Sequence, residues 1–150
     1  MRSGFQFVGG LFCAAILAGS ALAGDLQAVR AEPDLNKRAE LAMANAESDL
    51  TAAGGAFKAG NSDNGRAALA DVQASVELAC DSLRGTNKPP RNNKYYKRVE
   101  LSMRTLLRRV DDLGRAVAFD DRSAVEAVQK RLQELHDKIL LDIMSKRKSQ

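Results

Sequence analysis

Side chains able to carry chemistry are few in this sequence. It holds a single histidine, His136, and two cysteines, Cys13 and Cys80. A Ser-His-Asp arrangement would have to use His136, and no Gly-x-Ser-x-Gly turn supports one. There is no glycine-rich phosphate loop. A zinc site needs several His and Cys together. Di-iron bundles carry Glu-x-x-His on two helices, whereas Glu134 and His136 stand two apart and cannot share a helix face. Covalent haem attachment needs Cys-x-x-Cys-His, which is absent. The sequence therefore predicts a non-enzymatic protein with no metal site and no cofactor.

One pattern stays open as an alternative. Met43 lies about nine residues into the first long helix, and His136 about nine residues before the end of the last. In an antiparallel bundle those levels coincide, so thioether and imidazole could ligate one non-covalent, b-type haem iron. Against it, Met43 occupies a position where methionine as core filler is usual. His136 flanks its apolar seam, between Leu132 and Ile139.

The other candidate is charge. Gly24 to Gly85 holds ten acidic and six basic residues, a net of −4; Thr86 to Gln150 holds nine acidic and sixteen basic, a net of +7. Lys88, Arg91, Lys94, Lys97 and Arg98 concentrate the excess around Pro89-Pro90. Helical spacing pairs Glu100 with Arg104, Arg108 with Asp112 and Asp111 with Arg115, which consumes part of it. The basic residues could be a solvated face that attracts the acidic first half. As a site, they would dock an anionic envelope component or a protein. A second copy of the chain is the other candidate partner, with Leu101, off the seam, as a contact. Tyr95 and Tyr96 lie among these cations, but Tyr96 is on the seam, and export removes the usual nucleic acids. No nucleic-acid partner is expected.

These residues need elements to position them. From Lys94 to Ala118, apolar residues fall at Tyr96, Val99, Met103, Leu106, Val110, Leu113 and Val117, at alternating gaps of three and four. That spacing draws one narrow seam along a helix, as in coiled-coil packing. Three other segments repeat it: Ala39, Met43, Ala46, Leu50, Ala53 and Phe57; Leu69, Val72, Val76, Ala79 and Leu83; Val125, Val128, Leu132, Leu135 and Ile139. No alternating β-branched run suggests a strand. The expected fold is all-α: an antiparallel, up-down-up-down four-helix bundle.

The boundaries are legible too. Gly24 to Glu32 is a lead-in segment, and Pro33 suits the first turn of a helix starting at Asp34. Gly54-Gly55 should weaken or kink its last turns. Ser62 or Asp63 should cap the second helix. An aspartate or Ser123, with Glu126 three residues on, should cap the fourth, with Phe119 stapling the incoming chain.

The first 23 residues stand apart. Arg2, an apolar run from Phe5 to Ala18, and Ala21-Leu22-Ala23 read as a signal peptide cleaved before Gly24. The run is too short for a comfortable span of about 20 residues, so no integral membrane span is expected after cleavage. Residues 24–150 would form one periplasmic or secreted domain with a short basic tail. That domain keeps one cysteine, Cys80, which is either a small core residue or the origin of an intermolecular disulfide.

Several stretches carry a family likeness. Tyr95-Tyr96-Lys97-Arg98, Leu106-Leu107-Arg108-Arg109-Val110-Asp111-Asp112-Leu113, Phe119-Asp120-Asp121-Arg122 and His136-Asp137-Lys138-Ile139-Leu140-Leu141 resemble small exported helical proteins of bacteria of unknown function. The likeness covers mainly Thr86 to Met144. It implies export and a helical fold and assigns no activity.

Overall fold

The computed structural model of the protein describes residues 25–145. The expected leader, 1–23, and the tail residues 146–150 lie outside the described residues. The described residues form five α-helices and one 3-10 turn, with no strand among them. These are α1 (Leu26–Ala31), α2 (Leu35–Lys58), α3 (Ser62–Gly85), the 3-10 turn Pro90–Asn92, α4 (Lys94–Ala116) and α5 (Phe119–Met144).

Local chemistry sets most of the helix ends. Asp34 caps α2, its Oδ1 accepting from the backbone N–H groups of Asn36 (2.8 Å) and Lys37 (3.1 Å). Pro33 therefore stands just outside the helix rather than in its first turn. Helix α2 runs on through Gly54 and Gly55 to Lys58, as far as its seam through Phe57 required. Gly60, at φ +76°, turns the chain. The cap of α3 is Asn61, whose side chain accepts from the N–H of Asn64 at 3.3 Å. The expected caps are used otherwise: Asp63 lies in the first turn, and the Ser62 hydroxyl donates to Asp121 at 2.7 Å.

The start of α5 differs most from expectation. Only Val117 and Ala118, both extended, separate it from α4, and Ala118 offers no side-chain cap. Helix α5 thus begins at Phe119, and Ser123 lies inside it. Asp120 and Asp121 fall in its first turn, where a carboxylate suits the helix dipole. Phe119 staples nothing; it is 83% exposed.

The seams meet as their spacing requires. Tyr96, Val99, Met103, Leu106, Val110 and Val117 of the organising segment are buried, and Leu113 is half-buried. Every seam residue named on α3 and α5 is buried, as are Ala39, Met43, Ala46, Leu50 and Ala53 of α2. Helices α2 and α3 pack most extensively. The buried face of α2 is rich in alanine (Ala39, Ala42, Ala46, Ala53), and the Phe57 ring lies over Gly65, where a Cβ would come within 2.6 Å of Cε1. Helices α4 and α5 form the second hairpin.

The hairpins then pack side by side, α2 on α4 and α3 on α5. Like ends meet. Arg98 of α4 pairs with Glu40 of α2 at 2.6 Å, and Arg109 donates to Thr51 at 2.8 Å. Arg66 of α3 pairs with Asp121 of α5 at 2.8 Å, and Arg84 with Asp142 at 3.2 Å. Neighbours from different hairpins are therefore parallel, where an all-antiparallel set was expected. Helices α3 and α4, consecutive in sequence, touch little, and α2 and α5 make no close approach. The connection Thr86–Asn93 consequently crosses one end of the bundle diagonally.

Candidate functional site

That crossing connection carries the basic residues. Asn87 takes φ +53°, a left-handed conformation that asparagine tolerates. Pro89 is extended, and Pro90 opens the 3-10 turn. Asn93 ties the segment down: it is buried, its Oδ1 caps α4 through the N–H of Tyr95 at 2.9 Å, and its Nδ2 donates to Asn36 Oδ1 of α2 at 3.4 Å. Lys88, Arg91, Lys94, Lys97 and Arg98 are all exposed.

The five cations are not equivalent. Arg98 is committed to Glu40, whose hydrogen bond and charge hold its guanidinium above its usual range. Lys88, Arg91, Lys94 and Lys97 make no ion pair among the described residues. Lys94 Nζ stands 5.2 Å from the centre of the Tyr95 ring and Arg98 Cζ 5.6 Å, an arrangement that holds cations against an aromatic face. Tyr96, by contrast, is core, as its seam position required. A shallow groove of about 360 Å³ is lined by Lys88, Pro89, Asn92, Asn93, Lys94 and Tyr95. It offers ammonium, amide and phenol donors and no carboxylate. Such a groove can receive a phosphate, sulfate or carboxylate.

Of the expected helical pairs on α4, Glu100–Arg104 and Asp111–Arg115 form. Arg108 instead donates to Thr105 at 3.4 Å. Glu100 does more than pair along its helix. It is buried, and its Oε1 lies 2.9 Å from His136 Nε2 on α5. Burial raises its carboxyl, but the hydrogen bonds from His136 and Arg104 together bring it below the usual 4.5.

The alternative haem pair can be tested on this geometry. Glu40 faces Arg98 and Glu100 faces His136. Met43, three residues past Glu40, and His136 therefore do lie near one level. Yet they belong to α2 and α5, which do not approach each other. His136 Nε2 is taken by Glu100, and Nδ1 is buried without a partner. The groove that Met43 lines, between α2 and α4, does not include His136. As arranged, the two residues do not fit an axial ligand pair. Cys80 is fully buried, and burial pushes its thiol up to about 12. That location suits a core residue and leaves no surface for a disulfide between chains.

Periodicity missed a second polar network, between α2 and α3. Asn45 Nδ2 donates to Asp49 Oδ2 at 2.8 Å and to Ser75 Oγ at 2.9 Å, and all three residues are buried. Among the described residues, no group of three or more His, Cys, Asp or Glu is placed to hold a metal ion. No family model matches the sequence, and no curated protein or solved structure matches it significantly.

Proposed function

We propose that this chain is an exported, periplasmic or secreted, non-enzymatic protein, a four-helix bundle of two antiparallel hairpins that binds an anionic partner through its basic second hairpin. The observation that carries the reading is the set of Lys88, Arg91, Lys94 and Lys97. They are exposed, close together in sequence, and without acidic partners among the described residues. A merely solvated face would be expected to spend its charge on neighbouring carboxylates, as Arg98 does on Glu40. The anchoring of Asn93 adds support, because a connection held in one conformation loses little entropy on binding. Export rests on the sequence of residues 1–23.

The test is recovery of an anionic component from envelope extract on the immobilised protein. Wild type is compared with a variant carrying Lys88→Gln, Arg91→Gln, Lys94→Gln and Lys97→Gln. The captured species should be lost from the variant and from wild type at high salt, while the far-ultraviolet spectrum stays helical. Equal recovery by the folded variant refutes the reading.

A further inference from the structure

The last turns of α5 bring large apolar side chains to the same end of the bundle. Leu141 is 66% exposed and Met144 75%. The His136–Glu100 contact fixes the register of the antiparallel hairpin. Five residues on from His136, Leu141 lies level with Tyr95, five before Glu100, and Met144 lies nearly one turn further toward that end. Helix α5 also packs directly on the 3-10 turn that holds Arg91.

Three carboxylates near this end have partners of their own, while exposed Asp34 caps α2 and exposed Asp81 makes no ion pair among the described residues. Asp142 is paired with Arg84, Glu40 with Arg98, and Asp137 accepts from Gln133 at 2.9 Å. Immediately after Ser145 the sequence continues Lys146-Arg147-Lys148. Two exposed apolar side chains thus lie at the same end of the bundle as Lys88, Arg91, Lys94 and Lys97, which make no ion pair among the described residues. An acidic protein or polysaccharide would satisfy the cations alone. A bilayer with anionic headgroups satisfies both, taking the cations at its phosphates and the apolar side chains just beneath them. Among the described residues no helix is long and apolar enough to cross a membrane, so this contact is interfacial.

We infer that this end of the bundle docks on an anionic lipid surface, with Lys88, Arg91, Lys94 and Lys97 on the headgroups and Leu141 and Met144 inserted. The inference rests on the proposed role of the basic connection and names its partner.

Vesicle co-sedimentation of the full chain tests it, using phosphatidylcholine alone and phosphatidylcholine with about one third phosphatidylglycerol. The first 23 residues are the same in every variant, so their own affinity for lipid cancels in the comparison. Binding to the anionic vesicles should exceed binding to the neutral ones at least tenfold and weaken with salt. Each cation near such a surface contributes roughly fivefold, so the four Gln substitutions together should weaken binding more than a hundredfold. Leu141→Ser with Met144→Ser, both exposed and so safe for folding, should weaken it about tenfold. Unchanged vesicle binding by the Leu141→Ser, Met144→Ser protein overturns the inference. So does a dimer in light scattering that those changes dissociate, because a second copy then covers the patch. Charge-dependent capture of an envelope component without vesicle binding overturns the lipid assignment and leaves the proposed function standing. If the four Gln substitutions leave both vesicle binding and envelope capture unchanged, the inference and the proposed function fall together.

Discussion

Replacing Glu100 probes how the second hairpin is held. Glu100→Ala leaves His136 Nε2 in the core without its acceptor, beside an Nδ1 that already lacks a partner. Once Glu100 is gone, the stranded donor costs about 1–3 kcal/mol. The side chain of Arg104 is 58% exposed and simply returns to water, adding little. For a domain of this size about 1 kcal/mol moves the melting temperature by roughly 3–5 °C. Glu100→Ala should therefore melt roughly 3–15 °C lower at neutral pH. Glu100→Gln keeps an acceptor oxygen and should lose about half as much. The pH dependence separates charge from packing. The Glu100 carboxyl titrates below its usual 4.5 in the folded protein. A lowered folded value means that its stabilisation is complete above the unfolded value and is lost as pH falls through the folded one. The melting-temperature gap between wild type and Glu100→Gln should thus narrow as the pH drops below the usual carboxylate range. Melts followed by circular dichroism from neutral to strongly acidic pH decide it. A gap that stays constant, or an unchanged melting temperature in Glu100→Ala, refutes the reasoning.

Other substitutions address the remaining contacts. Leu106→Ala removes a fully buried seam side chain and should cost about 3 kcal/mol in chemical denaturation; a neutral result would place the core elsewhere. Gly55→Ala meets nothing within 4 Å and should stabilise by about 1 kcal/mol. Gly65→Ala drives a methyl into the Phe57 ring and should destabilise by about 1 kcal/mol net. In a Phe57→Leu background the Gly65→Ala penalty should shrink or reverse, and additivity would contradict the contact. Cys80 should resist a thiol-reactive reagent in the native state and react after unfolding; native labelling would contradict its burial.

The seams were legible because a three-four spacing reports which face of a helix is buried, and the named α4 residues follow that rule except Leu113, which is half-buried. The same spacing holds the residues that hydropathy passed over. Glu100 follows Tyr96 by four and precedes Met103 by three, and His136 stands likewise between Leu132 and Ile139; Ser75 follows Val72 by three and precedes Ala79 by four. All three are buried. Polar residues at seam spacing were the available signal for both networks. What periodicity could not give was which helix faces which. It names the buried side and is silent on the neighbour, so the parallel pairing of α2 with α4 and of α3 with α5 had no sequence signature. Caps shifted by a residue or more for a related reason. Ser62 and Asp121 fit capping patterns, but each found a partner on the other helix. Among the basic candidates, the sequence could not tell that Glu40, 58 residues away, draws off Arg98.

The Asn45–Ser75 hydrogen bond has a bearing on how the first hairpin finds its alignment. Helix α2 offers α3 a buried face rich in alanine, and sliding it by one turn, about 5.4 Å, would bring other alanines against the same α3 wall. Dispersion alone discriminates poorly between such alignments. A slip by a turn, however, carries the Asn45 amide away from Ser75 Oγ and takes the Asp49 carboxylate with it into a different stretch of buried apolar wall. Misaligned hairpins are penalised by the polar atoms they fail to match, much as a single buried asparagine selects one register in a coiled coil. The network thus acts as a ratchet stop for an otherwise slippery interface, and the alignment it selects is the one that brings Phe57 over Gly65.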